Sequence, residues 1–506
     1  MRGRFAVGAL AVLSLFGAKP ADSQGYHARF DTRVLGASYR GLVLDSVAAG
    51  TVVTGADGAQ LSAEGYAVDC VLGAAWCHYF RAGPRRTGIP WTGTADVTAW
   101  GFGVTGLSAH LQGRAATDLG SEPSGSWPGT RPRVQLMEAY AELARPAWTA
   151  RLGRQTEIGR LGFQGFDGAR LRIRHAASDL EAAVYGGWGL ARGIAVPVTS
   201  PALNPLDDFQ PRDRQLLFGV GTSWSPGPFD VQGDWRRAYD PVPGHVVEDR
   251  AALSATVRPH PRLRLAAGAE YDFANGWWGT ADASLTYFDA RVTATVEARR
   301  YRPFFDLWTI WGAFSPVPHR TLGGSVAVTA LPWLTVDGRL EAYRFDDAEA
   351  ASPLVTTEDD GWRSRVGVLA RVSTAWSVDA GYRYERGVGA SERHLEGGTT
   401  WRGGDRVTVR AEVASVVRPL ELRFSEVHAR WHSVSGDVVL NPRLRLAADL
   451  VWVDETRERP DAAAFSWDQL RASARMVLTF GSSADRLPPG RRRGGGVAQR
   501  PAGAAP

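Results

Sequence analysis

Lysine, cysteine and methionine are nearly missing from this chain, which has one lysine, Lys19, two cysteines and three methionines. Long apolar runs are missing too. Beyond the N-terminus no stretch of about eighteen apolar residues occurs, and this excludes a bundle of membrane-spanning helices. Two cysteines with only His78 nearby are too few to ligate zinc. No glycine-rich phosphate loop follows a strand, and neither a zinc-type His-Glu pattern nor an EF-hand-like loop is found, so no cofactor and no metal is expected. With lysine gone, the formal charge of +5 is arginine set against carboxylate. The two signs alternate along the chain instead of gathering on one face, which argues against nucleic acid as a partner.

Glycine and aromatics are abundant instead, with 58 glycines and 19 tryptophans. Mean hydropathy is nonetheless −0.20. A membrane β-barrel has this signature, because apolar residues that alternate with polar ones average out of any hydropathy window.

The N-terminus reads as an export signal over residues 1–23: Arg2 and Arg4 precede an apolar stretch from Phe5 to Ala18, and small residues continue to Ser23. Export implies an oxidising compartment, where Cys70 and Cys77 are expected to form a disulfide.

Strict period-two alternation dominates the rest of the chain. Arg291, Thr293, Thr295, Glu297 and Arg299 alternate with Val292, Ala294, Val296 and Ala298. Asp337, Arg339 and Glu341 oppose Val336, Leu340 and Ala342, and Arg406, Arg410 and Glu412 oppose Val407, Val409 and Val413. Arg445 and Asp449 oppose Leu446, Ala448, Leu450 and Trp452, while Arg264, Glu270 and Asp272 share one face, as do Asp379, Arg383 and Glu385. Strands place every second side chain on the same face, so these charged residues are expected to line a lumen while the apolar set meets lipid. Both signs occur in similar numbers, which points to cross-strand pairing of arginine with carboxylate.

Turns give the pattern a direction. Short ones such as Pro226-Gly227-Pro228, Asp289-Ala290 and Asn441-Pro442-Arg443 alternate with longer connections at 120–133, 191–213, 241–247, 348–360 and 457–467. Pro261-Arg-Leu-Arg-Leu-Ala-Ala267 recurs as Pro442-Arg-Leu-Arg-Leu-Ala-Ala448, each copy just after a short turn. The expectation is an all-β, transmembrane, antiparallel up-and-down barrel of residues 24–480, with short periplasmic turns and long external loops. Turn parity makes residues 29–44 the first strand and Leu470 to Phe480 the last, for about 22 strands within a range of 16–22. Residues 45–94, with both cysteines, become a long external excursion or a small β subdomain, and residues 303–318 an aromatic external loop. Trp148, Trp333, Trp376 and Trp431 are placed in aromatic belts, with Tyr343 and Tyr382 at the other rim. Residues 481–506, rich in Arg, Gly and Pro, are expected to be a disordered periplasmic tail.

One segment carries a family resemblance. Glu138-Ala-Tyr140, then Arg151-Leu-Gly153-Arg154-Gln155, then Phe166-Asp167-Gly168-Ala-Arg170, within Val134 to Leu171, resemble the alginate-export family of outer-membrane porins. The resemblance implies a wide barrel that passes a solute through a lumen lined by arginine and carboxylate; it does not imply alginate as that solute.

The functional expectation is a porin-like channel of the bacterial outer membrane for a polar or charged solute or polysaccharide, and not an enzyme. Its partners are lipid and lipopolysaccharide, the unknown solute, and the barrel assembly machinery reading the terminal strand at Phe480. Two alternatives stand beside it. One is a non-conducting barrel that displays its loops; the other is a lipid-modifying enzyme using His428 and His432 with Ser425, Ser433 or Ser435. Acidic runs at Asp207-Asp208, Asp346-Asp347 and Glu358-Asp359-Asp360 read as solvated loop charge, with calcium or lipopolysaccharide-bridging cations as the sharper reading.

Overall fold

The computed structural model describes residues 25–482 apart from 56–57, 59, 72, 121–133, 191–214, 243, 303–317, 347–359, 388–390, 419–425 and 459–466. The export signal, nearly all of the C-terminal tail, the 303–317 stretch, Ser425, and Asp207, Asp208, Asp347, Glu358 and Asp359 therefore lie outside the described residues.

The alternating segments form one antiparallel sheet in which each strand pairs with its chain neighbours. Gly25–Ala48 pairs along one flank with Pro90–Trp100 and along the other with the final strand, Trp467–Gly481, so the sheet closes on itself. Trp76–Gly88 and Pro90–Trp100 are one strand interrupted at Ile89, and the closed barrel has 22 strands. Closure removes the unpaired edge that an open sheet of this size would expose. Across the seam the Arg475 guanidinium donates from Nε and Nη2 to both carboxylate oxygens of Asp31, at 2.8 Å for the Nε bond.

The outer surface is apolar. Leu152, Val296, Leu322, Leu340 and Leu395 all stand more than half exposed on it, while arginines and carboxylates of the same strands point inward. So much exposed hydrocarbon is stable only against lipid, which places the protein in the bacterial outer membrane. Trp148, Trp333 and Trp376 are exposed near the short-turn rim, and Trp278, Trp362 and Trp452 near the opposite one. Tyr382 also faces outward.

Two of the expected belt residues are instead inside. Tyr343 is buried, with its hydroxyl donating to Glu385 at 3.0 Å, because it shares the face of Arg339 and Glu341. Trp431 shares the face of Ser433 and packs against buried His394 at 5.4 Å between ring centroids. Proximity to a strand end is not enough to assign a belt position; parity within the strand decides it.

The first strand is longer than its alternation indicates, and the return strand begins at Trp76. Residues 45–48 and 76–94 are thus strand, and the excursion proper is 49–75, with a small hairpin of Val53–Thr54 and Gln60–Leu61. Pairing with the last strand stops at Ala37, yet the hairpin continues to Ala48 opposite Trp76, so a two-stranded ribbon runs on past the rim. At ~3.3 Å per residue that ribbon is about 36 Å long. The Cys70–Cys77 disulfide ties its tip. The expected loop 241–247 is a tight turn, since the flanking strands are Phe229–Asp240 and His245–His260.

Candidate functional site

The strands Trp148–Gly159 and Gly162–His175 pair with each other along their whole length, but with the wall along only part of it. Val134–Ala144 pairs with residues 149–154 and no further, and Leu180–Gly189 pairs with residues 166–175 and no further. The hairpin 155–164 has therefore left the wall on both sides, the last backbone bond to the wall running from the Leu190 N–H to the Gly165 carbonyl at 3.0 Å. Its tip touches lumen-facing side chains of strands well round the circumference, so it is folded into the lumen at about mid-height.

Glycine makes the bend possible. Gly153 lies opposite Tyr140 on one side and Gly168 on the other, and Gly168 lies opposite Gly187. Gly153 has φ +128°, and a Cβ there would sit 2.2 Å from the carbonyl oxygen of Ala139. A Cβ on Gly168 would sit 2.0 Å from the carbonyl oxygen of Gly186. Only a residue without a side chain allows backbones to approach this closely.

The family-like residues converge on this bend. Tyr140 is buried beneath the Arg151 guanidinium, 4.8 Å from the ring centroid, and Arg151 also bonds Glu142 at 2.5 Å. Arg154 forks onto Asp167 at 2.7 and 3.0 Å and donates to the carbonyl of Leu136 at 3.0 Å. Gln155, 1% exposed, donates to the carbonyl of Gly168 at 3.1 Å. Arg170 holds Glu157 of the hairpin at 3.0 Å. Glu138 takes bonds from Thr156 and from His110, the latter at 3.1 Å. Phe166 is fully buried against Leu217 and Ala238, and Tyr185 packs on it at 5.4 Å.

The tip is anchored by charge. Arg160 bonds Asp282, lies 3.7 Å from Glu270, and reaches the carbonyl of Thr280 at 3.5 Å. Asp234 accepts a hydrogen bond from the Arg160 backbone. Arg236, 2% exposed, donates to the carbonyl of Leu161 at 2.7 Å and to Glu248 at 2.6 Å. Glu248 also accepts from Arg250 at 3.2 Å, and Arg250 bonds Glu270 at 2.6 Å. Arg236, Glu248, Arg250, Glu270, Arg160 and Asp282 thus form one chain of alternating sign across the wall and onto the tip. Each buried charge has a partner, as burial demands.

The other anticipated lumen residues fall into three groups. Several form ion pairs: between strands, Arg339 with Glu297, Arg410 with Asp379 at 2.9 Å and Arg445 with Asp437 at 2.6 Å, and along one strand, Arg339 with Glu341 and Arg410 with Glu412 at 2.6 Å. Arg383 lies 3.9 Å from Glu392, Asp449 accepts from Ser473, and Arg299 covers the Tyr301 ring at 5.0 Å. A second group sits at strand ends: Arg291 and Arg406 border short turns, and Asp272 is bound to the backbone and side chain of Asn275 in a turn at the opposite rim. Arg264, by contrast, lines a small polar recess with Gln232, Ser254 and Arg258, and Asp337 packs beside Gly367.

Arg160, Arg236, Glu248, Arg250 and Asp282 do not stand out in the sequence. Alternation does place Arg236, Glu248, Arg250 and Asp282 on an inward face; what it lacks is any sign that a hairpin would fold in to meet them. The histidines of the enzyme reading behave differently. His432 lies on the outer face, stacked on Trp452 at 5.2 Å, whereas Ser433 bonds the inward Glu412 at 3.3 Å. His428 shares parity with His432, so the wall separates both from Ser433 and Ser435.

No protein-family model and no curated protein matches the chain. Among solved structures, a mutant ferric enterobactin receptor (PfeA) of Pseudomonas aeruginosa in complex with enterobactin is similar with a TM-score of 0.52 at 10% identity, over 91% of this chain and 82% of that one. OccAB2 of Acinetobacter baumannii is similar with a TM-score of 0.41 at 11% identity, over 90% of this chain and 98% of that one. The copper transporter OprC gives 0.42 at 12% identity, over 91% and 82%. The first of these likenesses supports the fold, that of an outer-membrane β-barrel.

Proposed function

We propose that this protein is an outer-membrane channel for a polar or charged solute, and that the in-folded hairpin bounds its narrowest passage. The observation that carries this reading is the hairpin 155–164, which leaves the wall and is fixed through Arg160 and Arg236 to lumen-facing groups of strands three to six places round the barrel. A barrel that only displays surface loops gains nothing from a charged shelf inside its lumen. Arginine and carboxylate along the remaining wall suit a hydrated or charged solute and disfavour an apolar one. Lipid and lipopolysaccharide contact the apolar exterior, and the final strand, whose Phe480 packs edge-on against Phe30 at 6.0 Å, is the segment offered to the assembly machinery.

Single-channel recording in planar bilayers tests the reading. Discrete conductance is expected from the full chain, with larger steps when residues 157–164 are replaced by a short turn. A barrel that stays silent in both forms overturns it and favours display.

A further inference from the structure

Beyond the bend the hairpin pairs only with itself, and one apolar side chain at its tip, Leu161 at 6% exposed, is buried. Both of its outer edges are unpaired over 155–164 among the described residues. Its two largest apolar side chains beyond the bend, Ile158 and Phe163, are paired with each other yet remain 74% and 54% exposed. Phe166 is buried at the base of the hairpin beside Gly168, so the apolar contact at the tip comes from Leu161. The contacts that tie the tip to particular strands are polar. Asp234 and Arg236 grip the backbone of residues 160 and 161, both from the strand Phe229–Asp240. The Arg160 side chain reaches furthest, to Leu263–Asp272 through Glu270 and to Trp277–Phe288 through Asp282 and Thr280.

We infer that Arg160 determines the size limit of the channel by latching the hairpin to the wall about a quarter of the way round the lumen. This rests on the channel function proposed for the barrel and adds what sets its bore. Arg160 is a positioning residue: it touches the wall, not the solute, and acts through where it holds the hairpin. An arginine suits the task because its planar fork can engage acceptors on two strands at once, which the single point of a lysine ammonium does not. Asp282 is partly exposed, so the latch is open to solvent screening and weakens as ionic strength rises.

The test is swelling of proteoliposomes in neutral saccharides of increasing length, read beside single-channel conductance, using the full chain. Arg160→Ala is expected to admit a saccharide that the unaltered channel excludes and to raise conductance. Arg160→Lys is expected to fall between the two. The charge swap Arg160→Asp with Asp282→Arg is expected to restore the original limit, an outcome that a merely structural role for Arg160 does not give.

A covalent latch supplies the second arm. A Cβ built on Gly159 lies 3.0–3.2 Å from the Asp234 carboxylate, so the pair Gly159→Cys and Asp234→Cys is within reach of a disulfide. Added to Arg160→Ala, it is expected to return the narrow limit when oxidised and to lose it on reduction. Arg160→Ala alone, with and without reductant, controls for the Cys70–Cys77 bond. Silence of the unaltered protein would overturn the channel reading. Normal conductance with a size limit indifferent to Arg160→Ala and to the cross-link would overturn the latch alone.

Discussion

Arg236 donates to the carbonyl oxygen of Leu161 across 75 positions of chain at 2.7 Å, which joins the tip of the in-folded hairpin to the wall through a side chain that is itself 2% exposed. The same guanidinium neutralises Glu248. It therefore ties the stability of the wall to the position of the hairpin.

Arg236→Ala removes one partner of a buried pair and leaves Glu248 dependent on Arg250. Breaking such pairs costs about 3–5 kcal/mol, and the second arginine puts the expected loss at about 3 kcal/mol. Equilibrium urea unfolding in lipid, monitored by tryptophan fluorescence, checks this; a change within about 0.5 kcal/mol, as for an ordinary surface substitution, contradicts it.

Gly168 tolerates no Cβ without movement of the Gly186 carbonyl, whereas nothing lies within 4 Å of a Cβ on Gly436. Gly168→Ala is expected to cost roughly 1–3 kcal/mol through backbone displacement. Gly436→Ala, in a strand elsewhere in the wall, is expected to be neutral. Equal effects at the two positions would show that the glycine row is incidental.

Leu340 stands 61% exposed on the lipid side, six residues beyond Leu334, where its strand leaves the short turn at Pro332–Trp333. Leu340→Arg is expected to destabilise the barrel by about 2–4 kcal/mol, the cost of an arginine near the bilayer midplane. Folding titrations into vesicles measure it. Tolerance of the change would place Leu340 off the lipid face.

Asp45 lies on the projecting ribbon, where the Arg81 guanidinium at 2.6 Å, helped by the Ser46 backbone N–H, holds its carboxyl below the ordinary carboxylate value. A folded-state value that is depressed means the pair stabilises the ribbon above the unfolded value and is lost as pH falls through the folded one. Carboxyl titration of Asp45 by nuclear magnetic resonance in nanodiscs is expected to have its midpoint below that of an unpaired aspartate. Arg81→Ala is expected to raise it toward the ordinary value, the Ser46 N–H still holding it below.

Much of this architecture is legible in the sequence because a strand in a barrel carries its environment in its parity. Alternation through Glu297, Arg339 and Arg410 marks an inward face, and the short turns give the strand count. Nearness to a strand end misleads at Tyr343 and Trp431, where parity within the strand overrides it. Alternation is also silent at the ribbon: Leu44 and Phe80 face each other outside the barrel, and nothing local distinguishes a strand in lipid from one that runs on past the rim. The candidate site is half legible. Tyr140, Gly153, Gln155, Phe166 and Gly168 stand out as a motif, and they are the residues that build the bend. Its direction is hidden, because a hairpin turning inward is specified by contacts with Arg236, Glu270 and Asp282, which lie 75 or more positions away from the residues they meet.

The seam between the first and last strands also bears on how the barrel comes into being. Tyr26 and Ser482 meet there across 456 positions, and the pairing of Asp31 with Arg475 spans 444. Until the final strand has been made, the growing sheet carries two open margins of unpaired amides. Loop closure over such a distance is among the slowest steps a chain can face. Completion of this barrel hinges on one edge of its first strand staying open until the last strand arrives, a demand that no single hairpin within it would make.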